Sequence, residues 1–466
     1  MPTAIEPPGP RSRLPGGTLL RFRRDRLGFL LQTARTHGDM VGFTLARQPV
    51  YLVSDPGLIQ DVLETQAASF TKGRALERAK RLLGQGLLTS EGELHQRQRR
   101  LVLPAFHKRR MAAYGAIMVD LARAHGDGWR PGQVVDAATE MMHLTRAIVA
   151  KTLFGHAVTA DSADLDTAMR QTVGSFGSLA LFLPEWVVER GLWPSAAGLE
   201  AARATLDQTI YGMIAARRAE GRDHGDLLSM LLAAVDDEGD GRGMSDQQLR
   251  DEVMTLFLAG HETTANALAW TWFLLAEHPE VDLRLAAELD RVLGGRPPTL
   301  DDLPALPYTR MVFSEAMRLY PPAWLLGRRA ARDCSIGGYG IPRGAVVLVS
   351  QWVVHHDPRW YPDPFRFDPD RWAADVPARP KYAYFPFGGG PRRCVGEAFA
   401  WAEGLLVLAT LAQGWRMRLV PGHPVVPDPL ITLRPRHGIR VVLERRAGTH
   451  RPIDAAPAVD TPLAVA

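Results

Sequence analysis

Residues 385–411 read FPFGGGPRRCVGEAFAWAEGLLVLATL, a run of glycines from Gly388 to Gly390 that delivers Cys394 to the start of an apolar helical pattern. A cysteine in that setting can act as a thiolate. Backbone N–H groups of the loop and of the helix N-terminus can point at the sulfur, and the helix dipole favours negative charge there. Glycine also lets a backbone come close to a flat cofactor. A second constellation, AGHETT at 259–264, sets Glu262 beside Thr263 in an apolar stretch. A carboxylate and a hydroxyl so placed cost desolvation; with ordered water they can relay protons. HETTA is not a zinc motif, because H-E-x-x-H needs a histidine where Ala265 stands. Glu315 and Arg318 share a helix face at i, i+3, which permits a charge-assisted contact. His95 and Arg99 share another at i, i+4. Cys334 falls in a strand-and-turn region and is assigned no role, and His355 and His356 read as framework.

Rigid elements must hold these side chains. Ser245 followed by Gln248 is a capping-box start, and Pro279 stops the run just after His278. The spacing therefore predicts a helix over 245–277, roughly 50 Å long at 1.5 Å per residue. It is apolar on nearly every side between Val253 and Leu275, the pattern of a helix buried all round. Strand signals are few: 40–55 and 334–350 read as hairpins, and 431–445 as a terminal pair. The expected fold class is mainly α with small β-sheets.

The chain has 466 residues, 46% hydrophobic and 23% charged, enough apolar side chains for one large core. Lys and Arg number 55 against 51 Asp and Glu, a net charge of +4 that does not indicate nucleic acid. The densest basic stretch, HQRQRR at 95–100 followed by HKRR at 107–110, reads as a docking face. Two cysteines are too few for a disulfide framework and fit a cytoplasmic enzyme. The N-terminus has no apolar run long enough for a signal peptide or membrane span. Residues 1–17 and 446–466 read as flexible ends of a single domain over 18–445.

Phe387, Gly390, Arg392, Cys394 and Gly396 match F-x-x-G-x-R-x-C-x-G, and on these residues the chain resembles the cytochrome P450 family. The resemblance runs in the expected order over roughly residues 10–445. It implies heme b held between the long central helix and the cysteine loop, with Cys394 as axial iron ligand. Glu262 and Thr263 become the acid and alcohol of oxygen activation. Arg371, in FDPDRW, completes a structural triad with Glu315 and Arg318, although Asp370 replaces the more frequent glutamate. His95, Arg99, Arg392 and Arg328 or its neighbour Arg329 become propionate ligands. Leu88, Leu256, Phe257, Ala259, Gly260, Ala323, Trp324, Leu325, Ile431 and Thr432, with the stretch 177–186, are the substrate contacts it suggests. Their apolar character favours a lipophilic substrate such as a fatty acid, terpenoid or carotenoid. One atom of O2 would enter it, with NAD(P)H electrons arriving through a separate ferredoxin or flavodoxin and its reductase, since no reductase domain fits the remaining length. A peroxide-driven peroxygenase and a non-catalytic haem sensor are the alternatives, both disfavoured by the retained Glu262 and Thr263.

Overall fold

Apolar side chains at helical spacing put most of the chain into helices. The computed structural model describes residues 6–12, 16–45, 47–155, 196–236, 239 and 241–446. The helices that frame the site are α1 (Gly17–Arg24), α2 (Arg26–His37), α3 (Arg74–Leu83), α4 (Gly92–Val102), α5 (Lys108–Asp127), α6 (Ala137–Phe154), α7 (Ala196–Glu220), α8 (Asp246–Glu277), α9 (Pro279–Leu293), α10 (Pro307–Leu319) and α11 (Glu397–Gly414). Helix α8 begins where the sequence predicts. Gln248 N–H donates to Ser245 Oγ and Ser245 N–H to Gln248 Oε1, both at 3.2 Å, so two orphan donors are satisfied reciprocally. His278 ends it, and Pro279 opens α9, where a missing N–H costs nothing.

The core forms around α8 and α11. Leu268, Ala269, Trp270 and Trp272 of α8 and Leu406, Val407, Leu408 and Ala409 of α11 are fully buried. Gly404 lets α10 come close: a Cβ there would lie 2.3 Å from the Phe313 ring. Helix α11, which the cysteine loop leads into, packs against α8.

A five-stranded sheet of order β1-β2-β8-β5-β3 flanks the helices. Its strands are β1 (Met40–Leu45), β2 (Gln48–Val53), β3 (Phe70–Lys72), β5 (Leu326–Ala330) and β8 (Val346–Val349). The 40–55 hairpin forms, with Met40 opposite Val53 and Leu45 opposite Gln48. Two strand expectations need correction. Within 334–350 only β6 (Cys334–Ile336) and β7 (Tyr339–Ile341) form a hairpin, while β8 runs parallel to β2. The 431–445 pair does not exist: β11 (Leu433–Pro435) pairs with β10 (Pro427–Pro429), and β12 (Arg440–Arg445) lies between β4 (Val134–Asp136) and β9 (Trp415–Leu419).

Candidate active site

Positive backbone angles at Gly388 (φ 69°) and Gly390 (φ 65°) turn the cysteine loop, which explains glycine at both. A Cβ on Gly390 would also lie 1.8 Å from the Leu63 carbonyl oxygen, and one on Gly389 2.2 Å from Tyr382 Oη. Cys394 N–H donates to the Phe387 carbonyl at 3.0 Å, and the Gly396 N–H points to the sulfur. Beside Gly396 a Cβ would meet only the Phe106 ring, at 3.9 Å. Cys394 is solvent-accessible although its sulfur is set deep among protein atoms.

The thiol itself runs against the sequence expectation. Burial pushes it up to about 11; the Gly396 N–H, Arg99 and Arg393 draw it back without prevailing, and Glu397 opposes them. Loop and dipole alone do not make a thiolate here. A cation on the sulfur would supply the difference, which fits a metal-ligating cysteine. Among the described residues no group of three or more His, Cys, Asp or Glu could hold a metal ion.

Cations gather near the loop. Arg328 is buried on β5, where burial first and Arg392 second pull its guanidinium down to about 10. Arg329 faces outward to Glu77 at 3.3 Å, which settles which neighbour points inward. His95 is buried on α4 and held at about 4 by burial and by Lys72, Arg392 and Arg99, so its imidazole is neutral near pH 7. Arg392 bonds Glu91 through Nη2, while its buried Nη1 has no hydrogen-bond partner. Arg99 Nη1 donates to the Arg393 carbonyl at 2.7 Å, and its charge also acts on His95.

Lys72 and Glu91 were not singled out from the sequence. Lys72 Nζ is buried and donates to the carbonyls of Leu87 and Ser90 at 2.8 and 2.7 Å. Burial, with Arg392 and Arg328, pulls its ammonium down to about 7 against Glu91 and Glu252. Glu91 lies one helical turn before His95, a spacing that could have flagged it. Lys72 comes from β3, and nothing local marks it. Four cationic or imidazole side chains, one with an orphaned donor, suit the two carboxylates of a haem edge.

On α8 the Glu262 and Thr263 side chains are half-buried, and Ala259 is the one exposed residue between Leu249 and Ala276. Ala259 and Thr263, one turn apart, share one face of the helix. Thr263 Oγ1 donates to the Ala259 carbonyl at 2.8 Å, the expected i−4 diversion, yet the helix stays continuous. Thr145 of α6 adds a bond to the His261 carbonyl at 3.0 Å. Glu262 does not touch Thr263's hydroxyl; it accepts from Thr432 Oγ1 at 2.6 Å.

Glu315, Arg318 and Arg371 come together. Arg318 Nε and Nη2 each donate to the Glu315 carboxylate at 2.8 Å, both residues being fully buried. Arg371 Nε lies 3.4 Å from Glu315 Oε1, and the Trp372 indole and Asp368 N–H donate to the same carboxylate. Arg318 also donates to the carbonyls of His355, Pro364 and Arg366. Asp370 turns outward to Arg284. His355 and His356 are buried framework, His355 Nε2 accepting from Phe385 N–H at 3.2 Å.

The substrate-contact expectations divide. Leu88 and Ile431 are exposed, and Gly260, Ala323 and Leu325 are half-exposed. Leu256 is buried. Phe257 needs correction: it is buried with its ring 5.3 Å from His261, and two residues from Ala259 it lies on the opposite helix face. Trp324 is a strut, its indole donating to the Leu430 carbonyl at 3.0 Å. The stretch 177–186 lies outside the described residues.

A long helix whose middle is buried except around Ala259, Glu262 and Thr263, an accessible cysteine on a glycine loop and a group of buried cations around Arg392 fit the class of cysteine-ligated cofactor enzymes. The Cytochrome P450 family model matches residues 7–441, and the chain belongs to that family. Cyclooctatin synthase of Streptomyces melanosporofaciens is 43% identical over 433 residues, covering 90% of this chain and 91% of that protein. Cyclooctat-9-en-7-ol 5-monooxygenase of the same organism is 40% identical over 410 residues, covering 87% and 88%. Pentalenene oxygenase of Streptomyces avermitilis is 36% identical over 420 residues, covering 89% and 92%. The solved structure of retinoic acid-bound cyanobacterial CYP120A1 superposes with a TM-score of 0.85 at 27% identity, over 95% of this chain and 100% of that one. The protein is a P450 monooxygenase, membership implies a haem cofactor, and no helix of the described residues is long and apolar enough to cross a membrane.

Proposed function

We propose that this protein hydroxylates or epoxidises a polycyclic terpenoid, with electrons from a separate ferredoxin or flavodoxin and its reductase. The balance is RH + O2 + 2 e⁻ + 2 H⁺ giving ROH + H2O, or the epoxide from an alkene. When bound, the haem supplies the iron at which dioxygen is reduced. Cys394 would hold its iron, and Arg328, Arg392, His95 and Lys72 would hold its propionates. Arg99 braces the cysteine loop through the Arg393 carbonyl in this reading. Glu262 moves protons and Thr263 orders them, work worth about 10²–10⁴-fold in rate. The observation that carries the class is the conjunction of an accessible Cys394 on a glycine loop with exposed Ala259 and half-buried Glu262 and Thr263 in mid-helix of the buried α8. The terpenoid reading is supported by relatives named for a terpene alcohol and for pentalenene, together with the apolar character of the suggested substrate contacts.

Spectral titration of the purified protein tests the substrate class. Cyclooctat-9-en-7-ol or pentalenene should displace distal water and shift the Soret band to the blue, whereas palmitic acid should not. A response confined to the fatty acid would overturn the terpenoid reading. Product should form with ferredoxin, reductase and NADPH; product from hydrogen peroxide alone, and none with the partner proteins, would point to a peroxygenase.

A further inference from the structure

Glu262, Asn266 and Trp270 follow one another at i, i+4 and i+8 along one face of α8, and all three meet the chain at 432–433. Thr432 Oγ1 donates to Glu262 Oε1 at 2.6 Å, Asn266 Nδ2 donates to Thr432 Oγ1 at 3.1 Å, and Trp270 Nε1 donates to the Leu433 carbonyl at 2.9 Å. From the other side Trp324 Nε1 holds the Leu430 carbonyl, and Leu433 N–H donates to the Pro322 carbonyl at 2.9 Å. Thr432 is buried between these anchors while Ile431 beside it is exposed.

The direction of the hydroxyl bond is fixed by its surroundings. A hydroxyl has one proton. With the Asn266 amide donating to the oxygen, that proton goes to Glu262, and a carboxylate acceptor makes the bond charge-assisted and short. The segment is tied down by Trp270, Trp324 and Pro322 independently of Glu262. Thr432 is thus the fixed partner, and the Glu262 side chain is the part that is held. Thr263 cannot do this, because its hydroxyl is committed to the Ala259 carbonyl.

We propose that Thr432 is a positioning residue for Glu262, holding its half-buried carboxylate as a proton acceptor beside Thr263 so that the 430–433 segment controls proton delivery. This rests on the proton-delivery role proposed for Glu262. It differs from a substrate contact at Thr432, which would alter ligand affinity and not proton traffic.

The test uses the haem-loaded protein with ferredoxin, ferredoxin reductase and NADPH, with and without cyclooctat-9-en-7-ol, in H2O and in D2O. Thr432→Val should slow NADPH oxidation about tenfold or more, the size of one lost hydrogen bond to a charged group, and enlarge the rate ratio between H2O and D2O. Thr432→Ser should restore both. Combined with Glu262→Gln, Thr432→Val should add nothing further, since it acts through that carboxylate. A separate readout needs no turnover: amide hydrogen exchange at 430–433 should stay as in the unsubstituted protein, because the other anchors remain. Wild-type rate and isotope ratio in Thr432→Val, full additivity with Glu262→Gln, a change confined to the ligand's spectral affinity, or strongly faster exchange at 430–433 would each overturn the proposal. If the unsubstituted protein forms no carbon monoxide complex near the family's red-shifted band and oxidises no NADPH, the monooxygenase reading fails and this proposal falls with it.

Discussion

Glu315 and Arg318 show how much one residue pair reveals. Their i, i+3 spacing was enough to predict a shared face, and the fully buried bidentate contact lies where that spacing puts it. Arg371 entered only through the family resemblance, since nothing local ties position 371 to 315. Lys72 illustrates the opposite case: its importance comes from being buried among Arg392, Arg328 and Glu91, all remote or off its own strand. The buried pair carries a clear cost. Glu315→Ala strands the Arg318 guanidinium, and Arg318→Ala also leaves the carbonyls of His355, Pro364 and Arg366 without that donor. A broken buried pair costs roughly 3–5 kcal/mol. Both variants should therefore purify with little haem and melt well below the parent. Normal haem content and melting in both would show the pair to be incidental.

At the scale of elements, local signals carried the long helix and failed for the strands. Caps and apolar periodicity are written within a few residues of a helix end, so α8 begins and ends as predicted. Strand partners are chosen by distant chain, which is why β8 joins β2 and β12 joins β9 against the local hairpin reading. The loop between α3 and α4 shows a further long-range tie. Asp251 accepts from Gln85 N–H at 2.7 Å and Glu252 from Leu87 N–H at 3.0 Å, clamping the loop that bears Leu88 onto α8. Burial pushes the Glu252 carboxyl from an ordinary 4.5 up to about 8, with Asp251 adding to it. A group raised in the folded state binds protons more tightly there, so its stabilisation is full below pH 4.5 and is lost as pH rises through about 8. Glu252→Gln keeps an oxygen for Leu87 N–H and removes the titration. The difference in Tm between this variant and the parent should move in the variant's favour as pH is raised across that window. A constant difference would show that Glu252 stays ionised throughout.

For the molecule as a whole, the question is how an electron partner finds the cysteine loop. The sequence suggested a basic docking face, but the structure sets a carboxylate against Arg97, Arg100 and Arg110 of that stretch. Arg97 and Arg100 converge on buried Asp236, Arg110 lies 3.2 Å from Asp223, and Arg393 forms a bidentate pair with Glu397. The sequence could show the cations; it could not show the partners of Arg97, Arg100 and Arg110, which lie more than 100 positions away. Charge reversal at Arg100 would break the tie to Asp236 and confuse folding with docking. Glu397→Gln is the cleaner probe, because the Arg393–Glu397 pair is partly exposed and such pairs add little to stability. It leaves the Arg393 charge uncompensated on the loop that carries Cys394. If an acidic ferredoxin docks there, first-electron transfer should be about two- to threefold faster than in the parent at low salt, because complementary charge acts mainly on association. The gain should vanish near 1 M salt, where the Debye length falls to about 3 Å. Stopped-flow reduction read in the carbon monoxide band gives the rate, and dithionite reduction controls for damage to the haem. Equal rates in variant and parent at low salt, with normal dithionite reduction, would place the docking surface elsewhere on the molecule.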